Sequence, residues 1–351
     1  MDVTEVLRGA VGQKASDIFF IVGQPVAYKI GGQIVRQAGD FIDRSEAEEA
    51  IDTLYHLADG RDLTAREGGD DDFAISVPGV GRFRVNIFRQ RGTWSAVLRS
   101  VAFELPDVAS MGIPESVIRM GSQKKGIILV TGTAGSGKST TLSYIIDQIN
   151  STRNCHILTL EDPIEFLHKH KKSIVSQREI NIDTADYGKA LRAAMREAPD
   201  VILIGEMRDL ETIEIAMTAA ETGHLVLSTL HTVGAANTID RVIDVFPANQ
   251  QQQIRVQLSM VLNAIVSQQL LPQVGGGLVP AFEILEANSA IRTMIRDGKV
   301  HQIDSVIYSS AKEGMKSMDA SILELYRAGR IDGETALNYC MNPDAMRRNV
   351  S

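Results

Sequence analysis

The alternation of apolar and polar residues divides this chain into two kinds of text. In residues 1–101 the apolar positions come in short strand-like runs: Asp17–Val22, Val26–Ile30, Gln33–Arg36, Phe73–Val77, Arg82–Phe88 and Thr93–Val101. Gly31-Gly32, Pro78-Gly79 and the neighbourhood of Gly92 supply the turns between them. One segment changes period. Ala47, Ile51, Leu54 and Leu57 recur at helical intervals behind Ser45, with Glu48 three residues after it in the spacing of a capping box. These elements predict a small α+β domain over 1–101. The run Asp70-Asp71-Asp72 after Gly68-Gly69 reads as a charged turn before a strand. Ala102–Glu115, with Pro106, Gly112 and Pro114, has the composition of a linker.

Past the linker, 116–351 reads as a second domain. Gly126–Val130, His156–Leu160, Val201–Ile204 and Leu225–Thr229 are compact apolar runs separated by helical segments. That pattern predicts an α/β fold, a mostly parallel sheet whose ligands lie at the carboxyl ends of the strands. Beyond residue 233 the pattern turns helical. Ile254, Leu258, Leu262, Ile265 and Val266 fit one apolar face of a helix whose solvated first turn is Gln250–Gln253. Gly275-Gly276-Gly277 reads as a loop, Val279–Leu285 as a strand, and Asn288 to Ser351 as a helical tail. There are no internal repeats.

The chemistry begins where the first of those strands ends. Gly132, Thr133, Ala134, Gly135, Ser136, Gly137, Lys138, Ser139 and Thr140 spell a glycine-rich phosphate loop, G-x-x-x-x-G-K-S, between the strand ending at Val130 and a helix over Thr140–Ile149. A buried strand that breaks into glycines and continues as a helix aims several backbone N–H groups at one point, where a polyphosphate can sit. Gly135 and Gly137 allow close approach, Lys138 reaches the outer phosphates, and the Ser139 hydroxyl is placed to ligate magnesium. The pattern predicts binding of ATP or another nucleoside triphosphate with Mg2+.

Charge and composition narrow the class. With 36 basic against 44 acidic residues the formal net charge is −8, and aromatics are 5%. A general nucleic-acid tracking motor needs a basic footprint, so no nucleic-acid partner is expected. Cys155 and Cys340 have no C-x-x-C spacing, which predicts two reduced thiols rather than a zinc ribbon or disulfide framework. No apolar stretch approaches the roughly 20 residues of a membrane span. The start Met1-Asp2-Val3-Thr4-Glu5 lacks the basic flank and apolar core of a signal peptide. A cytoplasmic protein without a transmembrane segment is expected.

Hydrolysis needs more than a phosphate loop: a carboxylate for water, an acid for the magnesium shell and a cation for the transferring phosphoryl. Acidic residues stand at successive strand ends. Glu161-Asp162-Pro163-Ile164-Glu165 follows His156–Leu160, and Gly205-Glu206-Met207-Arg208-Asp209 follows Val201–Ile204. Each acid taken singly is equally a helix N-cap or a loop charge. His224 and His231 flank the next run; they are either a metal pair or, for His231, a polar sensor of the terminal phosphate.

The loop Gly132–Thr140, the acidic box Glu161–Glu165, the Walker-B-like Gly205–Asp209 and the histidine box Thr222–His231 stand in the order found in the secretion ATPase superfamily that powers type IV pili and type II secretion. The resemblance runs from about Ala15 to about Leu337, including Arg82-Phe83-Arg84-Val85-Asn86 and Ala290-Ile291-Arg292-Thr293-Met294-Ile295-Arg296. Within that superfamily the chain is similar to the branch that retracts pili in twitching motility. The resemblance implies a PAS-like first domain and a RecA-like P-loop ATPase domain with C-terminal helices. By motif it makes Glu165 the general base, puts Glu206 in the magnesium shell beside Ser139, and has His231 sense the γ-phosphate. Arg84 and Arg99 match the arginines that reach across the interdomain cleft to the phosphates. It further implies a homohexamer at the cytoplasmic membrane, working on an inner-membrane platform protein at the pilus base and through it on the pilin fibre.

Two departures from the family wording are present. Thr133-Ala134 stands where Pro-Thr is usual, and Thr293, Met294 and Asp297 replace Asn, Leu and Glu in the late helix. Three rivals follow from the same motifs: a pilus extension or type II secretion ATPase, a nucleic-acid translocase, and a nucleotide-gated scaffold with little turnover. The extension and secretion enzymes usually carry additional N-terminal domains and a tetracysteine zinc insertion. The two cysteines here do not supply that insertion.

Overall fold

The computed structural model describes residues 1–58, 68–101, 105–310 and 314–350. It separates the chain into two compact units, 1–104 with 165–167, and 105–164 with 168–351.

The first unit runs α1 (Val3–Gly12), β1 (Asp17–Phe20), β2 (Ala27–Ile30), β3 (Gln33–Arg36), α2 (Arg44–Leu57), β4 (Asp70–Val77), β5 (Gly81–Gln90) and β6 (Thr93–Val101). The six strands form one antiparallel sheet in the order β3-β2-β1-β6-β5-β4. Strict alternation decides its two faces. Phe83, Val85 and Ile87 of β5 are buried in a core with Leu7 of α1 and Ile51 and Leu54 of α2, while Arg82, Arg84 and Asn86 take the other face.

Three local expectations in this unit change. The capping box of α2 is Asp43/Glu46, not Ser45/Glu48: Glu46 N donates to Asp43 Oδ1 at 2.8 Å and Asp43 N to Glu46 Oε2 at 3.0 Å. Aspartate caps as well as serine does, so the helix starts earlier. The run Asp70-Asp71-Asp72 is strand, not turn. It pairs with Ile87 and its neighbours in β5, Tyr55 Oη donates to Asp71 Oδ2 at 2.8 Å, and Asn86 Nδ2 donates to Asp72 Oδ1 at 2.8 Å. Helix α1 was not anticipated, although Asp2 caps it and Val3, Leu7 and Ala10 form its buried stripe.

The second unit opens with α3 (Val108–Met111) and α4 (Glu115–Arg119), so part of the expected linker is helical; residues 102–104 of it lie outside the described residues. Then follow β7 (Gly126–Thr131), α5 (Lys138–Thr152), β8 (His156–Glu161), β9 (Ile174–Glu179), α6 (Tyr187–Ala194), β10 (Val201–Ile204), α7 (Leu210–Glu221), β11 (Leu225–Leu230), α8 (Ala235–Asp244), α9 (Gln251–Val261), β12 (Leu262–Pro272) and β13 (Leu278–Glu286). The helical tail is α10 (Ser289–Arg296), α11 (Ile303–Ser309), α12 (Met318–Arg327), α13 (Gly333–Tyr339) and α14 (Pro343–Arg347), with 311–313 and 351 outside the described residues.

The seven strands are ordered β13-β12-β7-β11-β10-β8-β9, all parallel except β13. Strands β7, β10 and β11 are buried at every position because helices cover both faces. Ile128 and Val130 pack with Ile145 and Ile149 of α5, whereas Ile127 and Leu129 pack with Ile213 of α7 and Ile239 of α8.

The apolar run Ile254 to Val266 is not one helix. The helix stops at Val261, and Leu262 begins β12 beside β7. Ile254, Leu258, Leu262 and Ile265 join one core and Ala264 and Val266 the other, on opposite sheet faces. A strand buried on both faces shows a near-continuous apolar run, which periodicity does not separate from a helix.

Candidate nucleotide-binding site

Strand β7 ends at Thr131 and α5 starts at Lys138, leaving the phosphate loop at the carboxyl edge of the sheet. Gly137, the N-cap of α5, sits at φ 88° and carries no side-chain cap, so the first N–H groups of the helix face outward for an anion. Two glycines are required for close approach. A Cβ on Gly132 would collide with the Gln268 carbonyl oxygen, and one on Gly137 would lie 2.8 Å from Gln268 Nε2. Lys138 is 8% exposed, and its Nζ donates at 2.9 Å to the carbonyls of Gly132 and of Thr133. Burial lowers the Lys138 pKa, and the Glu206 carboxylate partly opposes that shift. Ser136 Oγ is buried without a hydrogen-bond partner. A short cradle of backbone donors, a buried ammonium and an orphaned hydroxyl fit a polyphosphate.

Parallel strands bring the ends of β10 and β11 to the same edge as the loop. Thr229 Oγ1 donates to Gly205 O at 2.6 Å, locking the two ends together. Immediately beyond, Arg208 Nη2 lies 2.8 Å from Glu206 Oε2 and His231 Nε2 lies 3.2 Å from Glu206 Oε1. Burial alone would raise the Glu206 carboxyl, but the Arg208 hydrogen bond and charge, with His231, outweigh it and hold the carboxyl below its ordinary value. Glu206 is therefore ionised at neutral pH. With the Ser139 hydroxyl in the first turn of α5 it supplies the hard oxygen donors that suit magnesium. Asp209 is instead the N-cap of α7, accepting from Thr212 N at 2.8 Å.

His224 stands at the opposite end of β11 from His231, about 20 Å away at strand rise, where Nδ1 bonds Ala219 O at 2.9 Å. The two histidines form no metal pair. Glu161 accepts from Thr159 Oγ1 at 2.7 Å and from Gln177 Nε2 at 3.2 Å.

Glu165 belongs to the first unit, where Arg84 Nη2 donates to its Oε1 at 3.3 Å. Arg84 and Arg99 are direct cross-strand neighbours on the face away from that unit's core. Arg99 Nε donates to the buried Asp17 Oδ1 at 2.9 Å. Burial would raise the Asp17 carboxyl, but the hydrogen bonds from Arg99 and Ser16 bring it below its usual value.

Gln268 has no counterpart among the expected site residues. It is 3% exposed on β12, accepts the Thr141 hydroxyl at 2.7 Å from 127 residues away, and backs both Gly132 and Gly137. Its own stretch of sequence gave no signal, because β12 reaches the loop only through sheet pairing with β7.

Residues 1–313 match the type II/IV secretion system protein family. The type IV pilus retraction ATPase PilT of Pseudomonas aeruginosa is 43% identical over 344 residues, covering 98% of this chain and 99% of that one. A twitching motility protein of Neisseria gonorrhoeae is 48% identical over 276 residues, 78% of this chain and 74% of its own. Among solved structures, that of the pilus retraction motor PilT with bound ADP superposes with a TM-score of 0.89 at 45% identity, covering 99% of both chains. A full-length match of sequence and fold, with the phosphate loop in the place its motif predicts, means that this chain belongs to the type II/IV secretion system protein family.

Proposed function

We propose that this chain is an ATPase motor that retracts type IV pili in twitching motility. The observation that carries the reading is the grouping at one sheet edge of Lys138, the uncapped start of α5, and the Glu206–Arg208–His231 cluster. Likeness to retraction ATPases over nearly the whole chain supplies the direction of work.

On this reading ATP lays its phosphates against the loop N–H groups and draws the Lys138 ammonium off the carbonyls of Gly132 and Thr133. That exchange replaces neutral acceptors by anionic ones, which strengthens the bonds. Glu206 and Ser139 would hold magnesium, which when bound would neutralise charge on the phosphoryl group. Glu165 takes the proton of the attacking water, and Arg84 orients its carboxylate. Arg84 and Arg99 supply cations to the phosphates, and His231, already on Glu206, registers the terminal phosphate. Six copies form the working ring at the pilus base, acting on a membrane platform protein and through it on the pilin fibre. Among the described residues no helix is long and apolar enough to cross a membrane, and on this reading the ring meets the membrane through the platform protein.

The test is surface piliation and motility in a strain lacking the gene, complemented by wild type or by Lys138→Ala. Excess pili with lost twitching, rescued only by wild type, is the expected outcome. Bald cells would identify an extension motor instead, and unchanged cells would refute a pilus role.

A further inference from the structure

The row of side chains that leads from the phosphate loop across the sheet is polar where its surroundings are apolar. Thr131 at the end of β7 pairs with Ser267 of β12, and Ser267 pairs with Glu283 of β13. Thr131 and Ser267 are 0% exposed and Glu283 is 6% exposed. A carboxylate so deeply buried is tolerated only when its oxygens are bonded. Both are bonded, to backbone donors from two different helices. Ala235 N, at the start of α8, donates to Oε1 at 2.7 Å, and Met318 N, at the start of α12, donates to Oε2 at 3.3 Å. Ser267 Oγ accepts the adjoining Gly234 N–H at 3.0 Å.

Helix starts are ordinarily capped by a side chain a few residues away. Helix α12 has such a cap in Ser317, yet takes the carboxylate as well; α8 has Gly234 as N-cap and no local side-chain cap. The shared acceptor comes from 48 residues away for α8 and 35 for α12. Burial raises the Glu283 carboxyl while the two N–H groups pull it back. One carboxylate thus ties the turn that follows His231 to the first residue of α12. Beside it lies a cavity of about 890 Å3 walled by Gly234, Glu283, Met318, Leu323, Met341 and Met346, which leaves α12 room to reset.

We propose that Glu283 is a positioning residue that makes the setting of α12 depend on whether a terminal phosphate is present at His231. The inference rests on the nucleotide reading above. A shift of the 231–235 turn moves Ala235 against Oε1, the carboxylate turns as a rigid group, and Oε2 changes its hold on Met318. The phosphate site is then linked through Glu283 to the first residue of α12, which Ser321 Oγ, accepting from Phe282 N at 3.0 Å, also holds to β13.

The experiment is backbone hydrogen exchange of the full chain, with and without a non-hydrolysable ATP analogue, in wild type and in Glu283→Gln. Glutamine keeps the shape but offers one accepting end in place of two, so one of the two anchors is lost. In wild type the analogue is expected to change exchange at 318–323 by about fivefold or more, the lower range of site-to-site coupling. In Glu283→Gln that difference should fall below about twofold while analogue affinity stays within about threefold. A purely structural cap would raise exchange equally with and without nucleotide; an undiminished nucleotide-dependent difference in the variant overturns the proposal. If Glu283→Gln does not fold, Ser267→Ala loosens the same turn and is expected to weaken the response, and a full response there is equally adverse. A wild-type chain that binds the analogue without a change at 318–323 refutes this inference alone. One that fails to bind it refutes the functional reading as well.

Discussion

Gly137→Ala and Gln268→Ala, made singly and together, test how the phosphate loop is held. Gly137 sits at φ 88°, where an alanine costs about 1–2 kcal/mol of backbone strain. The new Cβ would stand 2.8 Å from Gln268 Nε2, so the amide must swing aside. Gln268 Oε1 then leaves the fully buried Thr141 hydroxyl, and an unsatisfied buried donor costs about 1–3 kcal/mol. The expected loss for Gly137→Ala is therefore about 2–5 kcal/mol. Gln268→Ala removes the same acceptor and has the same hydrogen-bond term, with a small cavity added. In the double variant no amide remains to be displaced, and only the backbone strain is new. The double should be more stable than the sum of the singles by about 1–3 kcal/mol. Native hydrogen exchange of the α5 amides is the assay, because the single tryptophan, Trp94, lies in the other unit and does not report on this one. Additivity within about 0.5 kcal/mol would refute the contact between Gln268 and the loop.

Glu165→Gln should lower turnover by about 10²–10⁴-fold with nucleotide affinity retained, as measured by steady-state hydrolysis and equilibrium binding; near-normal turnover removes Glu165 as the base. Arg208→Ala takes away the main group holding the Glu206 carboxyl low, so the acid limb of the pH–activity profile should move to higher pH. Arg208 is largely exposed, so solvent screening keeps the move small; a shift to lower pH would contradict the assignment. Asp17 has a depressed folded-state value, so its contribution to the first unit is present above about pH 4 and lost as the pH falls through the folded value. Asp17→Asn should make acid unfolding, followed by Trp94 fluorescence, less steep below that pH, and an unchanged acid limb would refute the linkage.

The phosphate loop, the apolar strands ahead of each acidic box and the alternation of β5 were legible because each is a local pattern. Hydrogen bonding within a few residues and the period of two or 3.6 set them, and no distant partner is needed. Glu206 and His231 were legible for a related reason: in a parallel sheet every strand's carboxyl end points the same way, so residues just past an apolar run share an edge. Caps were legible as a type and not as a place, since Asp43 and Ser45 offer the same chemistry within three positions.

What tertiary structure alone decided lies in the pairing. Leu262 to Val266 carries apolar residues compatible with helix or buried strand, and it becomes β12 because β7 offers an open ladder on that side and helices bury both faces. Once β12 is seated there, Gln268 falls behind Gly137, Ser267 falls beside Thr131, and Glu283 is carried across from Ser267 to the starts of α8 and α12. None of these contacts has a sequence period, because each joins residues brought together by sheet order over tens to more than a hundred positions. The chain's own text determined that a phosphate-loop motif would stand at a strand end, between β7 and α5. Strand order determined which side chains stand behind the loop and which carboxylate meets the starts of α8 and α12.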